Sequence, residues 1–306
     1  MVVIEKTEVG LVISAEKKIK PLARPLYFLQ SFMAHLEELW TFGDLLRNLV
    51  TRDLKVRYRN SVLGVLWSLG NPLLMMLVFT FVFTVMTSYA SVPAYPVFVL
   101  TGILPWNFFS ASVIGGIRSI VDNAPLVNKV YFPRELLPVS IVLANMVNFM
   151  LALVVLFVFL LLFQIPLAKW ALLLPAVIAI QVIFTIGVAL IMATANVFYR
   201  DTQIIMEVVM LAWFFVTPIL YPGWILPHDY TIEWLGISID VWRWVNILNP
   251  MASIVSTYRV ILYGVGYGGA PPEFYFFVRT VLTAVGTFVA GLLIFYRYSR
   301  TFAEEV

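Results

Sequence analysis

The chain has 306 residues, of which 61% are hydrophobic and 12% are charged, and its formal net charge is +3. A soluble domain carries about 45–50% apolar and about 25% charged residues, so this composition excludes an ordinary soluble domain and indicates a membrane protein. Because it contains no cysteine, the chain also has no disulfide, thiolate nucleophile or cysteine zinc site.

The first 35 residues contain four lysines but no apolar core followed by a small-residue cleavage site. That pattern argues against a secretory signal peptide. We expect residues 1–35 to form a partly ordered cytoplasmic extension. The basic residues of the whole chain follow the expected topology, so its net charge does not call for a nucleic-acid partner.

Residues 36–62 are helical in pattern but too charged to be buried in lipid. Between Trp40 and Arg59, apolar residues recur at helical spacing among seven charged ones. This predicts an amphipathic helix in the cytoplasmic interface. It would serve either as a membrane-surface anchor or as a docking surface for a partner.

Six later stretches are long and apolar enough to cross about 30 Å of hydrocarbon. They run over Leu63–Met86, Tyr95–Ile117, Leu136–Phe163, Ala171–Phe198, Ile204–Leu220 and Phe274–Tyr296. The sequence therefore predicts an all-α integral membrane protein without a β-sheet domain. Its six-span transmembrane domain would cover residues 63–298, and residues 299–306 would form a cytoplasmic tail.

Lysine and arginine between the spans predict the orientation, because cytoplasmic loops retain them. Ten precede the first span, none lies in the first loop (87–94), and the second loop contains Arg118, Lys129 and Arg134. This alternation predicts that both termini and the second and fourth loops are cytoplasmic.

The second loop, within 118–138, is neither short nor simply polar. Asp122 or Asn123 could cap a small helix there, and Pro125 is tolerated in its first turn. We expect either a short helix at the membrane surface or an ordinary connecting loop.

The fifth connection, within 221–272, is predicted to be extracytoplasmic. It contains Trp224, Trp234, Trp242 and Trp244, which are typical of an interfacial belt. Asn249-Pro250 is a start signal for a helix, and four glycines from Gly264 onwards would end it. A short helix that dips into the outer leaflet or covers a pore mouth would satisfy this pattern.

The sequence lacks the motifs that several kinds of chemistry require. No phosphate-binding G-x-x-x-x-G-K-[S/T] motif occurs, so another polypeptide would have to bind any ATP. His35 and His228 lie in different polar segments, so we expect no metal site. Glu207 is almost the only ionisable residue noted within a span, which leaves an ion-coupled carrier as an alternative. The extracytoplasmic carboxylates are scattered, and a membrane-embedded glycan enzyme is the second alternative.

Several motifs together resemble one family. They are Arg52 to Trp67 followed by Asn71-Pro72, Asn123 to Pro138, Asn196 to Asp201, Thr217 to Tyr221, Asn249-Pro250-Met251 and Phe302 to Glu305. In this order they resemble the permease subunits of type 2 ABC exporters for O-antigen, capsule and teichoic acid. The resemblance covers about residues 40 to 306.

This resemblance implies a permease rather than an enzyme, in a bacterial plasma (inner) membrane. Its partners would be a second copy of the chain, two cytoplasmic ATP-binding subunits and a lipid-linked polysaccharide. The chain would bind no cofactor itself, and ATP with Mg would belong to the partner subunit.

The resemblance also suggests roles for particular residues of this sequence. Coupling to the ATPase would involve Asn123, Leu126, Lys129, Phe132 and Arg134. The interface helix would meet the lipid pyrophosphate through Arg52, Lys55, Arg57 and Arg59. The translocation path would be lined by Trp67, Phe79, Phe83, Trp106, Phe108, Phe109, Trp213, Phe214, Phe215 and Tyr221. Asn249, Pro250 and Tyr258 would belong to the outer gate.

Overall fold

A computed structural model describes residues 5–7, 10–12, 42–59, 66–86, 92–166, 169–227, 230–232, 237–263 and 273–306. The chain divides into two compact units, Met1–Asp44 and Leu45–Val306. In the first unit, strands β1 (Glu5–Thr7) and β2 (Gly10–Val12) pair antiparallel. Most of the expected N-terminal extension lies outside the described residues.

The amphipathic helix predicted between Trp40 and Arg59 is present as α1, Gly43–Tyr58. Asp44 in its first turn and Lys55 and Arg57 in its last turn complement the helix dipole. Leu49 is the buried residue of this helix, and its charged side chains are largely exposed.

The apolar stretches form the long helices of the second unit. These are α2 (Leu66–Phe81), which continues as a π-helical turn over Val82–Met86, α3 (Tyr95–Arg118), α5 (Leu136–Leu162), α6 (Leu174–Phe198), α7 (Thr202–Val216) and α10 (Phe274–Tyr298). A 3-10 turn over Lys169–Leu173 leads into α6.

Four helical stretches among the described residues are long and apolar enough to cross a membrane. They are Tyr95–Arg118, Leu136–Leu162, Lys169–Phe198 and Phe274–Glu305, and they confirm the second, third, fourth and sixth predicted spans as helices of spanning length. The first and fifth predicted spans correspond to the shorter apolar helices Leu69–Thr84 and Thr202–Val216. The number of spans, six, stays a prediction.

The fifth predicted span ends earlier than Leu220 because of Pro218. Thr217, the residue before this proline, is extended, with φ −85° and ψ 128°, as expected from the clash between a proline ring and a helical preceding residue. Helix α7 therefore stops at Val216, and buried residues 217–220 turn away from it.

The closest helix contact joins α6 and α10. A Cβ atom on Gly187 would lie 2.6 Å from the backbone nitrogen of Phe288, and one on Gly291 would lie 2.5 Å from the carbonyl oxygen of Gly187. Only glycine permits this backbone approach, which is the usual way in which small residues bring membrane helices together. Helix α3 lies at the centre of the unit and is buried along most of its length.

Short helical elements follow α3 and α10. At the α3–α5 connection, a 3-10 turn (Val121–Asn123) leads into α4, Ala124–Lys129. At the C-terminus, a 3-10 turn (Ser299–Thr301) leads into α11, Phe302–Glu305. Phe302 is fully buried, with its ring centroid 5.1 Å from that of Phe295.

The connection between α7 and α10 contains small elements. They are a 3-10 turn (Gly223–Ile225), the antiparallel strands β3 (Tyr230–Ile232) and β4 (Ile237–Ile239), and helices α8 (Val241–Leu248) and α9 (Pro250–Leu262). The predicted helix start is confirmed, because the Asn249 side chain accepts a hydrogen bond from the Ala252 N–H at 3.2 Å. Gly264 to Gly269 and Trp234 lie outside the described residues.

Candidate functional site

Helix α1 is hydrogen-bonded to the α3–α5 connection through Arg52. This guanidinium donates to the Asn123 side-chain oxygen at 3.0 Å and pairs with Asp53 at 3.0 Å. The second oxygen of Asp53 accepts from Ser140 Oγ, near the start of α5, at 3.3 Å. The segment predicted to lie at the membrane surface is thus joined to the two long helices that flank α4.

Asn123 precedes α4, but its side chain does not cap that helix. Its Nδ2 donates instead to the Ser119 carbonyl at 2.8 Å, and its Oδ1 accepts from Arg52. The expected capping by Asn123 is therefore wrong, because the amide is turned towards Ser119 and Arg52 rather than towards the first-turn N–H groups of α4. Pro125 is in the first turn of α4, as predicted.

The residues predicted to couple to an ATPase occupy different environments. Phe132 is 6% exposed and Leu126 is partly buried, whereas Lys129 is exposed. Arg134 donates to the Ser299 carbonyl, and Asn128 donates to the Val306 carbonyl at 3.5 Å. The C-terminal tail is therefore packed against the α3–α5 connection, a contact that the sequence did not indicate.

A cavity of about 510 Å³ opens between α1, α2, α3 and α5. Four asparagines line it, one each from α2 and α3 and two from α5: Asn71, Asn107, Asn145 and Asn148. Ser110 adds a hydroxyl, and Trp67, Phe108 and Phe149 add aromatic surface. We call this space the asparagine cavity.

Two residues at the C-terminal end of α1 form hydrogen bonds with the two asparagines of α5 that line the asparagine cavity. Arg57 donates to Asn145 Oδ1 at 2.7 Å, and the Tyr58 hydroxyl donates to Asn148 Oδ1 at 2.6 Å. Asn145 is 3% exposed, and its Nδ2 has no hydrogen-bond partner among the residues that the structure describes. None of the described residues that line the cavity is acidic. Lys55 and Arg59 are exposed and do not line it.

Five of the ten aromatics predicted for a translocation path form one cluster between α2, α3 and α7. The Trp106 ring lies 5.7 Å from Phe214 and 6.3 Å from Trp213, and Phe79 lies 6.3 Å from Phe214. Phe83 continues the series, 6.4 Å from Phe79. Such tilted and edge-to-face pairs are favoured by the ring quadrupoles.

The other five predicted path residues lie at the edge of this cluster, as Phe215 does beside Phe214, or deeper in the subunit, or apart from it. Phe109 is fully buried, 5.5 Å from Phe184 and 5.2 Å from Trp213, and Phe108 lines the asparagine cavity. Trp67 and Phe215 are 59% and 60% exposed, whereas the hydroxyl of Tyr221 donates to the Phe215 carbonyl at 3.1 Å.

The predicted gate residues join α9 to the end of α7. Asn249 Oδ1 accepts from Trp213 Nε1 at 2.8 Å, and its Nδ2 donates to Thr217 Oγ1 at 2.9 Å. Asn249 therefore caps α9 and holds the aromatic cluster with the same amide. Pro250 begins α9.

Tyr258, the third predicted gate residue, is fully buried inside the subunit. Its hydroxyl donates to Gln181 Oε1 at 2.8 Å, and Gln181 Nε2 donates to the Pro105 carbonyl at 2.7 Å. This chain of bonds connects α9, α6 and α3.

Two arginines hold α9 in place, and our sequence reasoning assigned no role to either. Arg259 donates to the carbonyls of Pro218 and Ile219 and lies over the Phe98 ring, with its guanidinium carbon 3.8 Å from the centroid. Arg279 donates to the carbonyls of Asn246 and Ile247 and to Ser253 Oγ at 2.6 Å. Both guanidiniums donate to carbonyls that follow or end a helix, groups that the helix itself leaves without a partner.

Burial lowers the pKa of Arg259 from its ordinary value to about 9. The group remains charged at neutral pH. Two features of the sequence could have indicated these arginines. Arg259 is a cation in a connection with few charges, and Arg279 is a cation inside a predicted span. An ionisable residue within a span is expected to be functional or paired.

No group of three or more His, Cys, Asp or Glu residues that could hold a metal ion occurs within the described part of the chain. Glu207, the carboxylate considered for ion coupling, is exposed on α7 and accepts from Gln203 at 3.0 Å.

Comparison with known proteins identifies a family model and named relatives that this sequence matches. Residues 44–263 match the ABC-2 type transporter family. The chain is 39% identical over 232 residues to the O-antigen export system permease protein RfbA of Myxococcus xanthus, which covers 74% of this chain and 84% of that protein. It is 33% identical over 262 residues to a protein of the same name from Klebsiella pneumoniae, which covers 85% of this chain and 94% of that protein.

Proposed function

This chain belongs to the ABC-2 type transporter family, and on that premise we propose that it exports a lipid-linked polysaccharide of the O-antigen type across a bacterial inner membrane. It is a multi-pass membrane protein and a permease subunit, not an enzyme. The partner that binds ATP carries out the hydrolysis that drives export.

The cargo is assigned from one observation, the similarity to relatives named O-antigen export system permeases. The similarity to the two Klebsiella pneumoniae proteins extends over 94% of their length, at 33% and 31% identity. It therefore includes the α1, α3–α5 and α7–α9 segments rather than one local motif.

Coupling to the ATP-binding subunits takes place at α1 and α4. Helix α4 presents the exposed Asn128 and Lys129, while Val127 and Phe132 anchor it by burial. The Arg52–Asn123 bond and the start of α5 join this surface to the spans. A rigid connection of this kind lets closure of the ATPase dimer tilt α3 and α5 as bodies.

Two copies of the chain form the translocation path along the faces of α2 and α7. The aromatic cluster of Phe79, Phe83, Trp106, Trp213 and Phe214 borders these helices, and the exposed rings of Trp67 and Phe215 extend their surface. Aromatic faces can stack on successive sugars without holding one of them tightly. Asn249 and Pro250 lie at the outer end, where α9 is fixed to α7, whereas the buried Tyr258 supports this gate from inside the subunit by holding α9 to α6.

The test is transport by the purified chain together with its ATP-binding subunit in proteoliposomes. Lipid-linked O-antigen should reach the opposite side only with ATP and Mg, and the transport should stop when the phosphate-binding lysine of the ATPase is replaced. Transport by the chain alone would contradict the proposal. So would transport that depends on an ion gradient and is lost in Glu207→Gln.

A further inference from the structure

We propose that the asparagine cavity binds a sugar ring of the cargo together with the phosphate attached to it. The inference rests on the proposed function, because that function supplies a cargo in which sugar, phosphate and lipid are joined. It adds a recognition site that is separate from the aromatic cluster between α2, α3 and α7.

The polar lining suits sugar hydroxyls. Each hydroxyl both donates and accepts, and each side-chain amide offers two donors and an acceptor with two lone pairs. Four amides and the Ser110 hydroxyl converge on a single cavity in a chain that is 61% hydrophobic. A cavity for an apolar lipid tail would not need them, since unpaired polar groups in lipid are costly.

Asn145 carries an unsatisfied donor in this lining. Its side chain is 3% exposed, and Arg57 occupies its oxygen at 2.7 Å. Its Nδ2 has no hydrogen-bond partner among the described residues. A buried amide group left unpaired costs about 1–3 kcal/mol, and a ligand acceptor that reached this buried nitrogen would remove that cost.

The charge of the lining favours an anion next to the sugar. Arg57 is the charged residue of the cavity, and one of its five N–H donors binds Asn145. Within the described chain it forms no salt bridge, and no lining carboxylate would repel phosphate. Phosphate is a preferred partner of a guanidinium, which can bind it with two parallel hydrogen bonds.

Size and depth agree with this ligand. A volume of about 510 Å³ lies within the range of about 300–1,000 Å³ for small-molecule pockets. Asn145 lies nine residues after Leu136, the start of α5, which places it about 14 Å along the helix. In the predicted orientation this is the cytoplasmic half of the bilayer, where a lipid-linked sugar would arrive.

The apolar wall completes the site. Trp67, Phe108 and Phe149 face the cavity, and Phe108 and Phe149 stack with their centroids 5.2 Å apart. Ligand pockets commonly combine such apolar and aromatic walls with a few convergent polar groups.

The experiment measures binding to the full chain, purified with its ATP-binding subunit in phosphatidylcholine nanodiscs. The probe is farnesyl diphosphate carrying one N-acetylhexosamine. Farnesyl diphosphate, the free N-acetylhexosamine and phosphatidylglycerol are the comparison ligands. We expect the sugar-bearing probe to bind at least ten-fold more tightly than farnesyl diphosphate.

Matched variants on α3 locate the effect. Asn107→Ala with Ser110→Ala removes two polar groups from the cavity and should abolish the ten-fold preference. Thr101→Ala with Ser112→Ala removes two buried hydroxyls that do not line it and should keep the preference within two-fold. Asn71→Ala, at an exposed position of the cavity rim, should weaken the probe several-fold without leaving a buried hole.

Equal affinity for the sugar-bearing and sugar-free probes would overturn the proposal and leave a phosphate site only. Equal competition by phosphatidylglycerol would reduce it to a lipid-headgroup surface. ATP-driven transport by the unmodified complex is measured in parallel. If the unmodified complex transports the cargo but does not prefer the sugar-bearing probe, the cavity proposal alone is rejected. If it prefers the sugar-bearing probe but does not transport, the exporter function alone is rejected.

Discussion

At the scale of single residues, buried polar side chains add specific contacts to the apolar packing that holds α9. Gln181 and Tyr258 are both 0% exposed, and Gln181 bridges Tyr258 and the Pro105 carbonyl. Each bond alone contributes about 0.5–1.5 kcal/mol, but a group left unpaired costs about 1–3 kcal/mol. These residues therefore matter most when only one partner is removed.

Gln181→Leu should lower the free energy of unfolding by about 1–3 kcal/mol for each group that it leaves unpaired. SDS-induced unfolding in mixed micelles measures this. Adding Tyr258→Phe should restore part of the loss, because it removes the orphaned hydroxyl. Strict additivity of the two changes would contradict the bridge. Thr185→Val, which removes a hydroxyl bonded only to the Gln181 carbonyl of its own helix, is the control.

Arg259→Lys keeps the charge but loses the fork that reaches two carbonyls. We expect hydrogen exchange of the Thr217–Tyr221 peptide to accelerate at least ten-fold, since bonds to a charged donor contribute about 1.5–3 kcal/mol. Arg243→Lys, on the exposed face of α8, should leave that peptide unchanged. Unaltered protection in Arg259→Lys would show that the carbonyls are held by other contacts.

At the scale of elements, our proposal makes the contact between α1 and the α3–α5 connection the place where a cytoplasmic ATPase acts. In this contact, Arg52 of α1 donates an exposed hydrogen bond to the Asn123 side chain. An exposed pair of this kind contributes little to stability, about 0–1 kcal/mol. Its expected role is to transmit motion rather than to hold the fold.

Asn123→Ala should therefore leave the thermal stability nearly unchanged while it lowers the cargo-stimulated ATP hydrolysis of the assembled transporter several-fold. Arg52→Ala should have the same effect, and the double variant should be no worse than either single one. Arg47→Ala, an exposed position of the same helix, serves as the control. Loss of the ATPase subunit during purification would indicate a docking role for Asn123 instead.

At the scale of the whole molecule, the distribution of lysine and arginine predicts the orientation in the membrane. The chain has no cysteine, so single cysteines can be introduced for labelling without background. A cysteine replacing Asn128 should react with an impermeant reagent only from the cytoplasmic side. One replacing the half-exposed Trp244 should react only from the outside. Labelling of both from the same side would reject the predicted topology.

Local composition was sufficient to predict the amphipathic helix α1, the long apolar helices and the start of α9 at Asn249-Pro250. Each depends on neighbours within a few turns: a run of apolar residues must satisfy its own backbone in lipid, and Asn followed by Pro matches the unpaired first turn of a helix. The same local logic failed at Asn123. The Asn123 side chain is turned instead towards the Ser119 carbonyl and towards Arg52, which lies 71 residues earlier in the chain.

Packing alone decided which polar residues meet. Arg57 and Asn145 are 88 residues apart, and Tyr258 and Gln181 are 77 residues apart, yet each pair is hydrogen-bonded. Nothing in the spacing of such residues encodes their contact, because it depends on the rotation and tilt of whole helices against one another. The asparagine cavity and the two arginine contacts of α9 exist only in the assembled bundle, because the groups that meet there come from segments that are far apart in the chain.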